Sequence, residues 1–382
     1  MKKIKVLYLI DTLNVGGAEK SLVDIAIHNS IVESIFITVY KGDSLVNLLK
    51  QNTIEVHQLN NSFRYEFNTV VSQLLPLIAA IKPDIIHSTL FRSDIIARKV
   101  KQYRNIPLIS SFVNNTYLKE RYKTLSFVGK LKLYGCQLMD RWSAKKVDLF
   151  ISNSATIMEK NSKALGIKKD KVKVIYRGRS SKKFTAISDS DVQVLRTKLT
   201  IKNDIKILLN VSRLLDRKGQ MDLVNSFAEV VKEHPKTILL FAGEGAYRTT
   251  LETEIKKLGL KEKVLLLGNV DYIPVLLNMA DVFVFPSHYE GLPGALLEAM
   301  FAQKIIICSD IGENKECVTE DEAVFFKTHD TKEMAIKISM ILNNIEAYKP
   351  MAINAKTAAV KKFELVNVIS QYNQTYQNLL GI

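Results

Sequence analysis

The sequence predicts an α/β protein built from two doubly wound parallel-sheet domains, on three observations. Short apolar runs rich in Val, Ile and Phe alternate with stretches of helical periodicity, the pattern of βαβ units. The chain has 382 residues, more than one core usually holds, since single cores seldom grow past about 250 to 300 residues. The runs also fall into two series, separated by a polar stretch from Arg179 to Asn203 that contains Ser180-Ser181-Lys182-Lys183 and Ser188-Asp189-Ser190-Asp191.

The first series places strands at 4–10, 34–40, 54–59, 84–87, 108–112, 149–152 and 172–176. The second places them at 205–211, 237–242, 264–267, 281–286, 304–308 and 323–326. These runs delimit a first domain at 1–180, a linker at 181–203 and a second domain at 204–362. The closing segment, 363–382, has helical spacing through Val366, Val368, Ile369, Tyr372, Tyr376 and Leu379. The opening residues could pass for a signal peptide, but the apolar run is cut at Asp11 and no small-residue cleavage site follows, so a first buried strand is the better reading. No uninterrupted apolar stretch approaches the length of about 20 residues that spans a bilayer. The expected location is the cytoplasm, in solution or peripheral on the inner face of the cell membrane.

Six His and three Cys (Cys136, Cys308, Cys317) show neither paired spacing nor metal-ligand clustering, so neither a disulfide framework nor a structural zinc is expected. The net charge of +15 has two readings, an attraction to anions or a general preference for Lys throughout the chain. One region stands above the background. Between Lys119 and Lys146 lie eight basic residues, interleaved with Leu125, Phe127, Val128, Leu131, Leu133, Tyr134 and Trp142. That is the pattern of a surface resting on anionic lipid, and equally of an ordinary helix with a solvated basic face.

The chemistry concentrates after the run 281–286. Glu290 and Glu298 bracket Gly291, Leu292, Pro293, Gly294 and Ala295, and residues 294–300 read as helical. Gly291 lets backbone approach a ligand, and a helix N-terminus carries roughly half a positive charge with several unpaired donors, which suits a phosphate without a metal. Glu290 belongs to the loop facing the ligand's reacting end. Glu298, about one turn into the helix, is placed to accept hydrogen bonds from hydroxyls such as those of a ribose. A nucleotide sugar offers both partners. Upstream, Arg213 and Lys218 follow the strand at 205–211 and supply two cations for a diphosphate, one a planar fork and one a point charge.

These residues form motifs in a familiar order: Ser287-x-x-Glu290-Gly291-Leu292-Pro293 with Glu298, Asn210-Val211-Ser212-Arg213 through Lys218-Gly219, Ser309-Asp310-x-Gly312 with Glu316, and Gly16-Gly17-Ala18-Glu19. Across most of its length the chain resembles the retaining glycosyltransferases of family 4, which have the GT-B fold. The resemblance implies two Rossmann-like domains facing across a cleft, with a tail helix crossing back onto the first. It implies donor contacts from Gly16, Gly17, Gly243, Asn269, Val270, Gly291, Leu292, Gly294, Ala295 and Glu298. It also implies a front-face displacement in which Glu290 orients the transferred sugar, while Arg213 and Lys218 stabilise the departing diphosphate. His87, at the end of the strand 84–87, either binds a sugar or is a satisfied structural residue. Gly16-Gly17 serves either close backbone approach or only a tight turn.

Departures from the family pattern bear on the acceptor. Where many relatives carry a His, this chain has Val113-Asn114-Asn115-Thr116, so Asn114 and Asn115 can position an acceptor but not deprotonate it. Arg177-Gly178 stands where the family has Asn-Gly, which puts Arg177 among the acceptor contacts. Ser212 and Gln303-Lys304 replace a Gly and a Gly-Pro. Asp189-Ser190-Asp191 is the one local Asp-x-Asp, and its place in the linker argues against a metal role. The expected activity is transfer of a hexose or N-acetylhexosamine from a nucleoside-diphosphate sugar, a UDP-sugar foremost and a GDP-sugar next, to a glycan or lipid-linked acceptor in cell-surface polysaccharide synthesis. No metal or other cofactor is expected. Two rivals stand beside it: a GT-B nucleotide-sugar epimerase or hydrolase, and a basic nucleic-acid-binding protein, for which no reader motif is present.

Overall fold

Every predicted apolar run forms a strand in the computed structural model, which describes residues 3–63 and 65–382, without the side chains of Lys119 and Glu120. The first sheet contains β1 (Ile4–Ile10), β2 (Val32–Tyr40), β3 (Glu55–Asn61), β4 (Ile85–Thr89), β5 (Leu108–Phe112), β6 (Leu149–Ser152) and β7 (Val172–Val174), in the order β3-β2-β1-β4-β5-β6-β7. The second contains β8 (Lys206–Val211), β9 (Thr237–Ala242), β10 (Val264–Leu266), β11 (Val282–Phe285), β12 (Ile305–Ser309) and β13 (Val324–Phe326), in the order β10-β9-β8-β11-β12-β13. All strand pairs are parallel. β1 shows why the runs are continuously apolar. Past Lys5, which is half-buried at its start, Val6, Tyr8 and Ile10 enter one core while Leu7 and Leu9 enter the core on the other face, so none of these five positions suits a polar residue.

Arg179–Glu364 forms one compact unit, and the residues before and after it form the other. The segment expected as a linker, 181–203, is not one. It holds the helices Lys182–Thr185 and Asp189–Lys198, and Leu195 is buried within the second unit. The cause is local: Ser188 and Asp191 form a reciprocal capping box that starts the second helix. The Ser188 side chain donates to Asp191 at 2.6 Å and holds its carboxyl below the ordinary value, so this Asp-x-Asp caps a helix. The chain enters and leaves this unit at paired backbone, where Arg179 N donates to Phe363 O at 2.9 Å.

The closing helix, Leu365–Leu380, belongs to the first unit. Leu365, Val368, Ile369, Tyr372 and Tyr376 join the core that contains Tyr8 and Ile10, each aliphatic one contributing on the order of 1.5–3 kcal/mol. Val366, expected on that face, is exposed, because the buried stripe follows 365, 368, 369, 372 and 376. Among the described residues, no helix is long and apolar enough to cross a membrane.

Candidate active site

The order in which the chain adds strands to the second sheet reverses between β8 and β11, and at such a switch point the loops leaving the strands open a ligand crevice. Asn210 ties the two strands, its side-chain amide donating to Val284 O at 2.8 Å, and His288 N donates to Arg217 O at 2.9 Å to join the two loops. Gly219 has φ +68°, and a Cβ there would meet Pro286 O at 2.1 Å. Only glycine allows the loop carrying Lys218 to lie this close to the end of β11.

That packing delivers Lys218 Nζ directly onto Glu290 Oε1, with Arg217 Nη1 3.6 Å from Glu290 Oε2. Glu290 is only 8% exposed. Burial pushes its carboxyl upward, but Lys218 and Arg217 outweigh this and hold it below the ordinary value, so it is ionised at neutral pH. Burial pulls the Lys218 ammonium below its usual range, against the attraction of Glu290. The ammonium also lies 5.7 Å from the Phe285 ring centroid, and the Arg217 guanidinium lies 5.3 Å from that of Tyr289. Arg213 is exposed on the same loop, near enough for its charge to act on Lys218.

The helix Gly294–Phe301 begins where the sequence placed it, at Gly294, with Pro293 as the extended residue that precedes it. Its first-turn amides, at Gly294 and Ala295, have no carbonyl four residues back within the helix to bond. Leu292 is buried beneath that turn and Gly291 is partly buried. Glu298 Oε1 accepts from Arg179 Nε at 3.0 Å, and Arg179 is itself buried. Gly243 has φ +143° and its would-be Cβ meets Ser212 O at 2.0 Å, so the Gly243–Gly245 turn is packed against the Arg213 loop. Gly243 N donates to Gly268 O at 2.8 Å, which brings Asn269 (exposed) and Val270 (half-buried) next to it.

In the first unit, Gly17 and Arg177 converge: a Cβ on Gly17 would lie 3.1 Å from Arg177 Nη1. Gly16 lies under the Glu19 carboxylate, 2.2 Å from its own would-be Cβ. His87, expected to face the ligand, is instead fully buried between Tyr376 Oη (2.9 Å) and Ser111 Oγ (2.7 Å). Burial holds the imidazole neutral, its pKa down to about 3, so its role is structural, linking β4 to the closing helix. A cavity of about 300 Å³ lies at the ends of β1, β4 and β5, with Asp11, Arg92, Asp94, Ser111, Asn114 and Tyr117 in its wall. Arg92 Nη1 is 3.3 Å from Asp11 Oδ2. Asn114 reaches the cavity; Asn115 is buried and does not line it.

Two family models match the chain: Glycosyltransferase Family 4 over residues 15–183 and glycosyl transferases group 1 over residues 191–358. The chain is a family 4-like glycosyltransferase. An uncharacterized glycosyltransferase of Methanocaldococcus jannaschii is 24% identical over 79% of this chain and 77% of its own. The UDP-Gal:alpha-D-GlcNAc-diphosphoundecaprenol alpha-1,3-galactosyltransferase of Escherichia coli is 23% identical over 84% of this chain and 82% of its own. Anabaena HepE, crystallised with UDP-glucose, superposes with a TM-score of 0.85 over 98% of this chain and 100% of its own at 22% identity, which shows a shared GT-B fold.

In this glycosyltransferase, sequence reasoning missed Arg217 and Arg179. Arg217 sits beside Lys218 in the motif, so the doubled cation was the available signal. Arg179 had none, since it meets Glu298 across 119 residues. The basic segment is mostly the helix Phe127–Ser143, with Phe127 76% and Trp142 72% exposed. At about 100° per residue, Phe127, Leu131, Leu138 and Trp142 fall within about 60° of one another, with Lys130 and Arg141 on one side and Lys132 on the other. Leu133 points inward instead and is buried. The Lys119 side chain lies outside the described residues.

Proposed function

We propose that this chain is a retaining, metal-independent glycosyltransferase that moves a hexose or N-acetylhexosamine from a UDP-sugar to a glycan or lipid-linked acceptor in cell-surface polysaccharide synthesis. The observation that carries the proposal is the buried, ionised Glu290 clamped by Lys218 and Arg217 at the switch point of the second sheet. An ammonium has three donors, so Lys218 can keep Glu290 and still donate to two phosphate oxygens. With Arg213 and the first-turn amides of Gly294 and Ala295, it supplies fixed positive charge where the diphosphate leaves, the task a divalent ion performs in other transferases. Glu290, fixed by its cations, orients the sugar hydroxyls, and Glu298, fixed by Arg179, accepts from the ribose.

In the front-face displacement the acceptor oxygen bonds to the anomeric carbon on the side from which the diphosphate departs. Its proton passes to a departing phosphate oxygen, since Asn114 has no basic group to take it. The polar cavity of the first unit would hold the acceptor. Likeness to the Escherichia coli enzyme favours a lipid-linked one, and the exposed Phe127–Ser143 helix suits a protein working at an anionic membrane surface. A UDP donor is favoured by the fold shared with HepE, crystallised with UDP-glucose.

The test is turnover with UDP-sugars in chelator, with proton NMR of the product's anomeric centre. Retention of configuration, undiminished rate without metal, and a loss of about 10²–10³ in kcat for Glu290→Gln are expected. An inverted product or a chelator-abolished rate refutes the mechanism.

A further inference from the structure

Three side chains, from one helix and two loops of the second unit, meet at a point the transfer chemistry does not use. Asp222, in the first turn of the helix Gln220–Glu233, places Oδ2 2.8 Å from His288 Nε2 and 3.5 Å from His329 Nδ1. The two imidazole centroids are 3.8 Å apart, and one ligand atom from each of the three residues lies within 4.8 Å of the others. A tetrahedral zinc with bonds of about 2.0–2.1 Å needs neighbouring ligand atoms about 3.4 Å apart, so small side-chain rotations bring all three into register. Two imidazoles and one carboxylate, with further positions open, is a donor set suited to borderline divalent transition metals.

The backbone holds this arrangement. His329 has φ +69°, a left-handed conformation that non-glycine residues seldom adopt, and its ring lies against that of His288. His288 is pinned through its amide to Arg217 O. We propose that Asp222, His288 and His329 bind one divalent transition-metal ion of the zinc class. The ion joins the loops after β11 and β13 to the helix Gln220–Glu233. His288 stands two residues before Glu290, so the ion steadies the near end of the Glu290 loop in the folded state, while turnover does not require it. The ion takes no part at the diphosphate, and the site does not depend on the donor reading above.

The experiment uses the full chain, stripped with chelator and dialysed, then titrated with zinc chloride by calorimetry and followed by thermal denaturation. One ion per chain is expected, with a rise in Tm, because a ligand bound only to the native state stabilises it. Asp222→Asn and His329→Gln should each weaken zinc by more than about 10- to 100-fold, a loss that changes outside the ligand shell already cause, and should abolish the rise in Tm. His329 is 65% exposed, so its substitution spares the fold, which circular dichroism verifies. His57→Gln, in the first unit, should leave stoichiometry and affinity unchanged. With cobalt as the probe, the visible bands of a tetrahedral site should vanish in His329→Gln. No binding by the parent chain, or equal binding by the Asp222 and His329 variants, overturns the proposal.

Discussion

Lys218→Met removes an ammonium while keeping an unbranched apolar stem, and leaves the Glu290 carboxylate buried. Truncating one partner of a buried pair costs about 3–5 kcal/mol. Arg217 remains 3.6 Å from Glu290, an attraction of about 4–5 kcal/mol at an effective dielectric near 20. That keeps the carboxylate charged at pH 7 and puts the loss at the lower end, about 3 kcal/mol. Glu290→Gln strands Lys218 beside Arg217 and Arg213 without an anion, and should cost more, about 4–5 kcal/mol. The double variant removes both charges, so it should be more stable than the summed losses by about 2–3 kcal/mol. Urea unfolding followed by far-UV circular dichroism measures all four corners of the cycle. Glu290 titrates below its unfolded value, so its contribution is present above about pH 4.5 and is lost as pH falls through the folded pKa. The coupling must shrink with it. Additivity within about 0.5 kcal/mol at pH 7 refutes the clamp.

Arg179→Ala frees the Glu298 carboxylate to rotate away from a ribose, and should raise the donor KM about tenfold with kcat nearly unchanged, the signature of lost uniform binding; an unaltered KM contradicts the role given to Glu298. Burial pushes the Asp94 carboxyl up to about 7, against Arg98 and Ser88, so the parent loses stability relative to Asp94→Asn as pH rises from about 4 to 7, at up to about 1.4 kcal/mol per pH unit. Denaturation at pH 4, 5.5 and 7 tests this, and a gap that does not change with pH defeats it. Replacing Phe127 and Trp142 by Ser should release the protein from vesicles rich in anionic lipid while leaving Tm unchanged, and undiminished sedimentation with the vesicles would argue against membrane docking. Gln303 has φ +55°, so Gln303→Gly should relieve strain and raise stability by about 1 kcal/mol, read as a higher Tm.

The strands were legible because a sheet covered on both faces demands unbroken apolar runs, and turn residues mark where those runs stop. The motifs at their carboxyl ends were legible for a related reason. Glycines such as Gly219 and Gly243 are required where two loops touch, and Lys218 and Glu290 sit in the loops that leave β8 and β11. The linker was misread because polarity does not distinguish a tether from an exposed capped helix; the Ser188 capping box was the overlooked sign. Local periodicity is a property of neighbours in the chain, so sequence determined the α/β class, the strands and the loops that carry the charges. Partnerships across 60 to nearly 300 residues are decided by the order in which strands enter the sheets. Only the tertiary structure could therefore bury His87 against Tyr376, hand Glu298 to Arg179, turn Val366 to solvent and bring Asp222, His288 and His329 to one point.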